Sequence, residues 1–197
     1  MPAQTVTHTA GATASTPAAY TAALEIPIPQ PGLKHAFRLC CDLEAVRSVG
    51  EGLHGDGGQF NWINFTGGHF EGIFGSGEVV AGGQDAQHIM PASHPSSPLA
   101  AQLSTRYLLQ HASGAFIQVQ TRGWRTGPAA VLQRLSDAAR AGFDGVVPGP
   151  DEYRFRLCIE METDARNAEL AWLNTAMFVG SGVRSGRQVI YDAYLIE

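Results

Sequence analysis

The chain has 197 residues, 44% of them hydrophobic and 16% charged, with 13 Lys plus Arg against 18 Asp plus Glu for a net charge of −5. The length suits one domain, the apolar share supplies a core, and the low charge argues against a disordered chain. No basic stripe tracks a phosphate backbone and no apolar run approaches the ~18 residues of a membrane helix, so neither nucleic acid nor a membrane is an expected partner.

Cys40, Cys41 and Cys158 are too few, and odd in number, for a disulfide framework. They read as free thiols in a reducing compartment, so a cytoplasmic protein is expected. The first 20 residues are rich in Ala, Thr and Ser and have neither a basic start nor a continuous apolar stretch, unlike a secretory signal. Residues 1–22 are read as a mobile tail and 23–197 as one domain.

Leu24 to Leu33 carries Pro27, Pro29 and Pro31 and is extended. From His35 to Leu43, the residues Phe37, Leu39, Cys41 and Leu43 alternate with Arg38 and Asp42, the pattern of a half-buried strand. Gly50 to Gly58 is a glycine-rich loop. It holds a literal G-x-G-x-x-G at Gly50, Gly52 and Gly55, but no amphipathic helix follows, so dinucleotide binding is not expected. Phe60–Phe65 and Gly68–Val80 are the next strands, with Gly75-Ser76-Gly77 as a turn or bulge and Gly82-Gly83 as a break. Pro91, Pro95 and Pro98 make His88 to Thr105 mostly loop. Arg106–Gln110 and Ala115–Arg122 form a hairpin across Ala112-Ser113-Gly114.

One helix is expected near 128–141. Pro128 fits its first turn, Val131, Leu132, Leu135 and Ala139 make an apolar stripe, and Gly142 fits the C-terminal cap. Tyr153–Met161, Trp172–Val179 and Gln188–Ile196 complete the strands, with Gly180-Ser181-Gly182 as a turn. Regularly spaced short strands with one helix indicate a mainly β, antiparallel chain, either a sandwich or a closed or nearly closed barrel. The barrel explains the mixed polar and aromatic residues on some strand faces.

Two carboxylates are placed for chemistry. Glu71 lies within Gly67-Gly68-His69-Phe70-Glu71-Gly72, and Asp85 follows Gly82-Gly83. A carboxylate inside an apolar barrel has its pKa raised, which suits proton transfer near neutral pH. Pairing of Glu71 with an arginine of a neighbouring strand, fixing register alone, is an equal reading, and for Asp85 a structural role is the slightly favoured one. Tyr107 and Arg122 are the expected oxyanion partners, and Arg106 a clamp for a substrate carboxylate or enolate. His69, Trp172 and Asn174 complete the expected substrate-binding set. Trp172 and Asn174 are two apart and would share a strand face. His69, His88, His94 and His111 form no H-x-H pair and no H-E-x-x-H motif, so no metal and no cofactor is expected.

Several of these segments resemble one family. Gly67 to Gly72, Gly77-Glu78-Val79-Val80-Ala81-Gly82-Gly83-Gln84-Asp85, Thr105-Arg106-Tyr107, Gly114 to Val119 and Thr121-Arg122-Gly123 look like hallmarks of the domain of unknown function 3237 family, also called uncharacterised protein family 0311. Tyr153-Arg154-Phe155-Arg156, Ala171-Trp172-Leu173-Asn174, Phe178-Val179-Gly180 and Val189 to Tyr194 are similar to its C-terminal half. The resemblance spans roughly residues 33–197. It implies a small barrel, lipocalin-like or allene-oxide-cyclase-like, and no particular reaction. The chain departs from the family pattern at Ala86, where an aromatic is usual, and around Gln59-Phe60-Asn61, where basic residues are usual.

Three functional readings follow. The first is a cofactor-independent isomerase, cyclase or lyase acting on a small apolar or aromatic metabolite in a barrel pocket. The second is a non-catalytic binding or carrier barrel, which requires a deep apolar cavity. The third is a structural protein that self-assembles into a homo-oligomer through apolar outer faces.

Overall fold

A computed structural model describes residues 24–51, 58–94, 97–140 and 147–197. The expected tail at 1–22, most of the Gly50–Gly58 loop and the Gly142 cap lie outside the described residues. Met1–Pro31 and Gly32–Glu197 form separate units. In the first, the described residues 24–31 carry no strand, and Leu24, Ile26 and Ile28 are exposed.

Side-chain alternation builds the second unit. In β8 (Arg154–Thr163), Phe155, Leu157, Ile159 and Met161 are buried and each of their neighbours out to Glu160 is exposed. The same period of two runs through β1 (Leu33–Leu43), β7 (Phe116–Gly127) and β10 (Gln188–Ile196). The remaining strands are β2 (Arg47–Glu51), β3 (Gln59–Gly72), β4 (Gly75–Val79), β5 (Gln84–His94), β6 (Ser97–His111) and β9 (Phe178–Ser185). They pair antiparallel in the order β1-β10-β9-β8-β7-β6-β4-β3-β2, with β5 also between β6 and β3. Pairing of β1 with β3 joins the ends. Because β4 and β5 share one position, and β2 continues the track of β1, the wall is a closed antiparallel barrel of eight positions. Closure leaves inward side chains to fill the lumen.

The long strand β3 explains the first glycine motif. Its first half pairs with β2 and β5, its second with β1 and β4. The change of partners falls at Gly67 and Gly68, where φ is 154° and 133° and the β1–β3 register shifts. At Gly68 the backbone of β1 comes so close that a Cβ would run into the carbonyl of Cys40. The glycines beside Glu71 therefore admit a neighbouring strand rather than a ligand.

Three expected breaks are strand. Residues 88–94 and 97–105 belong to β5 and β6, which pair from Gln84 opposite Arg106 to Pro91 opposite Leu99. Among the described residues the β3–β5 ladder ends at Gln59 and Ile89, so Pro91 lies beyond it, at a position that a residue without an N–H can occupy. Gly180-Ser181-Gly182 is not a turn but the middle of β9, opposite Leu157, Arg156 and Tyr191. Gly75-Ser76-Gly77 lies in β4, and the turn before it is Ile73-Phe74. Conversely, residues 171–175 are a 3₁₀ turn instead of strand, so Trp172 and Asn174 do not share a pleated face.

The two barrel ends differ. At one, Phe74 stacks on Phe70 and meets Phe37 edge-on, and Leu170 and Leu173 are buried with them, forming an apolar plug. At the other, α1 (Ala129–Arg140) crosses between β7 and β8. Its Leu132 and Leu135 are buried in the barrel core, and its backbone starts on the Pro128 carbonyl. Arg134 ties the outer face of α1 to Glu152 at 2.9 Å. This matches the expected helix.

Candidate functional site

Several inward positions at the helix end are polar, although most inward positions elsewhere are apolar. Asp85 on β5 is 5% exposed, and two residues along the same face lies Gln87. Gln87 Nε2 donates to Asp85 Oδ2 at 2.6 Å. Asn61 on β3 stands opposite Gln87 and accepts from Gln59 Nε2. Arg125 on β7 is 8% exposed, and Arg184 on β9 is 4% exposed. The Arg184 backbone N–H donates to the Tyr153 hydroxyl, and its Nε donates to the Gly186 carbonyl.

Burial pushes the Asp85 carboxyl up to about 6, against the pull of Gln87, Arg125, Arg184 and the Ser104 backbone. Burial likewise lowers Arg125, opposed by Asp85 and Tyr153. It lowers Arg184 to about 10, helped by Arg125. Asp85 Oδ1 and Arg125 Nε have no hydrogen-bond partner among the described residues. An unpaired buried atom of a charged group costs stability, which makes both residues functional candidates.

Below this layer the lumen is nearly full. Asp85, Tyr107, Tyr191 and Cys41 border a cavity of about 30 Å³, room for about one water molecule. The Tyr107 and Tyr191 hydroxyls share a hydrogen bond of 2.5 Å. Burial raises both phenols and the Cys41 thiol above their usual values, so all three are neutral groups. Tyr107→Phe leaves the Tyr191 hydroxyl buried and unpaired, with an expected cost of about 1–3 kcal/mol. The double variant Tyr107→Phe, Tyr191→Phe should recover part of that loss in urea denaturation. A double variant whose loss equals the sum of the two single losses would mean the hydroxyls do not depend on each other.

Two further spaces lie against α1. One of about 20 Å³ is bordered by Asn61, Gln87, Arg125, Arg184, Leu135 and Ser136. The other, about 200 Å³, is bordered by Ile89, Leu99, Ala101, Arg125, Leu132 and Ser136. Arg125 and Ser136 face both. A larger recess, about 520 Å³, is instead on the outer wall, beside Arg122, Trp124, Arg156, Cys158 and Tyr194.

Of the residues expected from sequence, only Asp85 and Tyr107 come together, on the border of the 30 Å³ cavity. Glu71 and His69 are exposed on the outer face of β3, because Phe70 between them points inward. Arg38 stands opposite Glu71 in register, but its guanidinium forks onto Asp192 at 2.8 and 2.7 Å. Arg106 is exposed and donates to Gln120 on the neighbouring strand. Arg122 is exposed and lines the outer recess. The inner face expected to unite Glu71, Arg106 and Arg122 with Asp85 is thus not formed, since each lies on the outward parity of its strand. Asn174 accepts from the Thr163 backbone N–H at 2.7 Å, which holds the 3₁₀ turn to the end of β8. Trp172 is 38% exposed beside Phe178. No group of His, Cys, Asp and Glu fit to hold a metal occurs among the described residues.

Sequence reasoning passed over Gln87, Arg125, Arg184 and Tyr191. The signal for Arg125 was present: Ile117, Val119 and Thr121 are inward, and Arg125 continues their parity. For Arg184 the same count from Phe178 was broken by reading the β9 glycines as a turn.

A closed antiparallel barrel with a helix across one end defines the class of this protein. Within that class, the chain belongs to the family described as proteins of unknown function, DUF3237, whose model matches residues 31–196. It is 29% identical over 163 residues to a UPF0311 protein of Rhodopseudomonas palustris strain TIE-1, covering 83% of this chain and 95% of that one. A UPF0311 protein of Bradyrhizobium diazoefficiens is 27% identical over 164 residues, with the same coverage. Among solved structures, a conserved protein of unknown function from R. palustris has a TM-score of 0.73 at 28% identity, over 86% of this chain and all of that one. A beta-barrel-like protein from Acinetobacter baumannii AYE has a TM-score of 0.68 at 31% identity, over 88% of this chain and all of that one. An enzyme from Penicillium herquei shares the fold, with a TM-score of 0.57 at 16% identity over 88% of this chain and 98% of that one.

Proposed function

We propose that the chain is a cofactor-independent enzyme of the isomerase, cyclase or lyase type, acting on a small apolar or aromatic metabolite at the helix-covered end of the barrel. One observation carries this reading: Asp85 is a buried carboxyl with a free Oδ1 and a pKa raised to about 6. Such a group exchanges a proton with substrate near neutral pH, where an ordinary carboxylate is too weak a base. Gln87 holds its other oxygen, and the cations of Arg125 and Arg184 stabilise negative charge developing on a substrate oxygen. The Tyr107 phenol is a neutral group bordering the same inner cavity as Asp85. The carrier reading is less supported, because an apolar carrier cavity has no use for a buried carboxyl with a raised pKa.

The test is an untargeted one. A small-molecule extract is incubated in deuterated water with the wild-type protein or with Asp85→Asn, and metabolites are followed by mass. The wild type should convert a compound or label it with deuterium, and Asp85→Asn should do so about 10²–10⁴-fold more slowly. Equal turnover by the two proteins would refute the assignment of Asp85. An extract unchanged by the wild type would remove the enzyme reading.

A further inference from the structure

We infer that the 200 Å³ space between α1 and the barrel mouth is a binding site for a small carboxylate, held by the Arg125 guanidinium with its apolar body against Ile89, Leu99 and Leu132. The inference deepens the proposed function by naming the ligand class, but the binding it describes does not require turnover.

Three observations support it. First, Arg125 is more than nine-tenths buried, yet it makes no hydrogen bond and no ion pair to a described residue, and its Nε is sealed from solvent. Burying a guanidinium without pairing is costly. A guanidinium keeps its charge in proteins, so it cannot escape that cost by neutralising. A ligand carboxylate would satisfy it, because the two oxygens match the planar fork. Second, Arg125 faces an actual space. The same 200 Å³ chamber has apolar walls in Ile89, Leu99, Ala101 and Leu132, and a polar edge in Gln59, Gln133 and Ser136. One charged anchor, a polar edge and an apolar wall are the composition of a site for a small organic acid, rather than for a free inorganic anion or a cation. Third, the cover is a separate element. Leu132 and Ser136 both lie on α1, which follows Gly127 at the end of β7, so one wall of the chamber is built outside the barrel ladder.

The two charges then divide the work by position. Asp85 borders the inner cavity and Gln87 the smaller space above it, whereas Arg125 borders both spaces beneath the helix. A carboxylate anchored on Arg125 therefore sits where the two spaces beneath the helix meet, with its apolar body in the larger one.

The test uses benzoate and butyrate as probes, each against its neutral amide, titrated into the full chain at pH 7 by calorimetry. The carboxylates should bind saturably and about tenfold or more tighter than the amides, as expected for one charge-assisted fork. Arg125→Met should weaken the carboxylates by about the same factor and leave the amides unchanged, and Arg125→Lys should restore part of the loss. Ser136→Leu fills the space over Arg125 from the helix side and should block all four probes, which covers the case in which Arg125→Met does not fold. Equal binding of acid and amide, carboxylate binding that survives Arg125→Met or Ser136→Leu, or no binding of either acid would overturn the inference. Failure here with Asp85-dependent turnover intact would leave proton transfer standing and move the anchor elsewhere. Binding here with no Asp85-dependent turnover would leave a carboxylate-binding barrel.

Discussion

Gly68→Ala should cost the barrel about 4 kcal/mol or more, at the extreme of single substitutions. Two effects add. The φ of 133° is one that residues with a Cβ rarely adopt. In addition, the new methyl would collide with the Cys40 carbonyl, a backbone atom held in the β1–β3 ladder. Neither strand can retreat, because β1 also pairs with β10 and the pairing of β1 with β3 is the contact that closes the barrel. Gly82→Ala separates the two effects. There φ is 102°, but a Cβ would meet nothing within 4 Å. That change should cost only backbone strain, about 1–3 kcal/mol. Urea denaturation of both variants checks the comparison. Equal losses at Gly68 and Gly82 would mean that close strand approach contributes nothing.

Asp85→Asn should remove about 3 kcal/mol of pH dependence from the stability between pH 4 and pH 6. The carboxyl rises from an ordinary 3.8 to about 6 on folding. The folded state therefore binds the proton more tightly than the unfolded state. Its contribution is fully present below pH 4 and is lost as pH rises through 6. The groups facing it do not cancel this slope, because Arg125 and Arg184 stay charged throughout the window and Gln87 does not titrate. Surface carboxylates act in the opposite direction and at lower pH. Asp192 is held down by the Arg38 fork, with a weaker pull from His35, and Asp164 by Arg166, to about 2, so they lose stabilisation as pH falls. The difference between wild-type and Asp85→Asn stability across pH isolates the buried group. Asn keeps an acceptor for Gln87, so the variant should fold, and at pH 7 it should be at least as stable as the wild type. A difference curve flat from pH 4 to pH 6 would show that Asp85 is an ordinary carboxylate.

The candidate site was legible in the sequence wherever one strand was read with the right parity. Asp85 follows from its position after Gly82-Gly83, and Tyr107 from the alternation of Leu103, Tyr107 and Leu109 on one face. Glu71, Arg106 and Arg122 were drawn in by charge and by proximity to glycines, although adjacent residues such as Arg106 and Tyr107 point to opposite faces and cannot both line one lumen. Arg125 and Arg184 were passed over for the converse reason. A buried arginine runs against the expectation that such side chains stay exposed, and alternation is the signal that overrides it.

The strand pattern, the helix at 129–140 and the family motifs are properties of the sequence by itself, because alternation and capping act between near neighbours in the chain. The tertiary structure alone decided three things. It showed that the glycines of β4 and β9 serve close packing rather than turns, since only a neighbouring strand reveals what a Cβ would strike. It showed that the barrel closes through β1 and β3, a pairing across some thirty residues of chain that no local pattern encodes. It also brought Asp85, Gln87, Asn61, Arg125 and Arg184, from four strands, to one end under a helix. Register and shear set that convergence, and both are fixed only when the sheet closes.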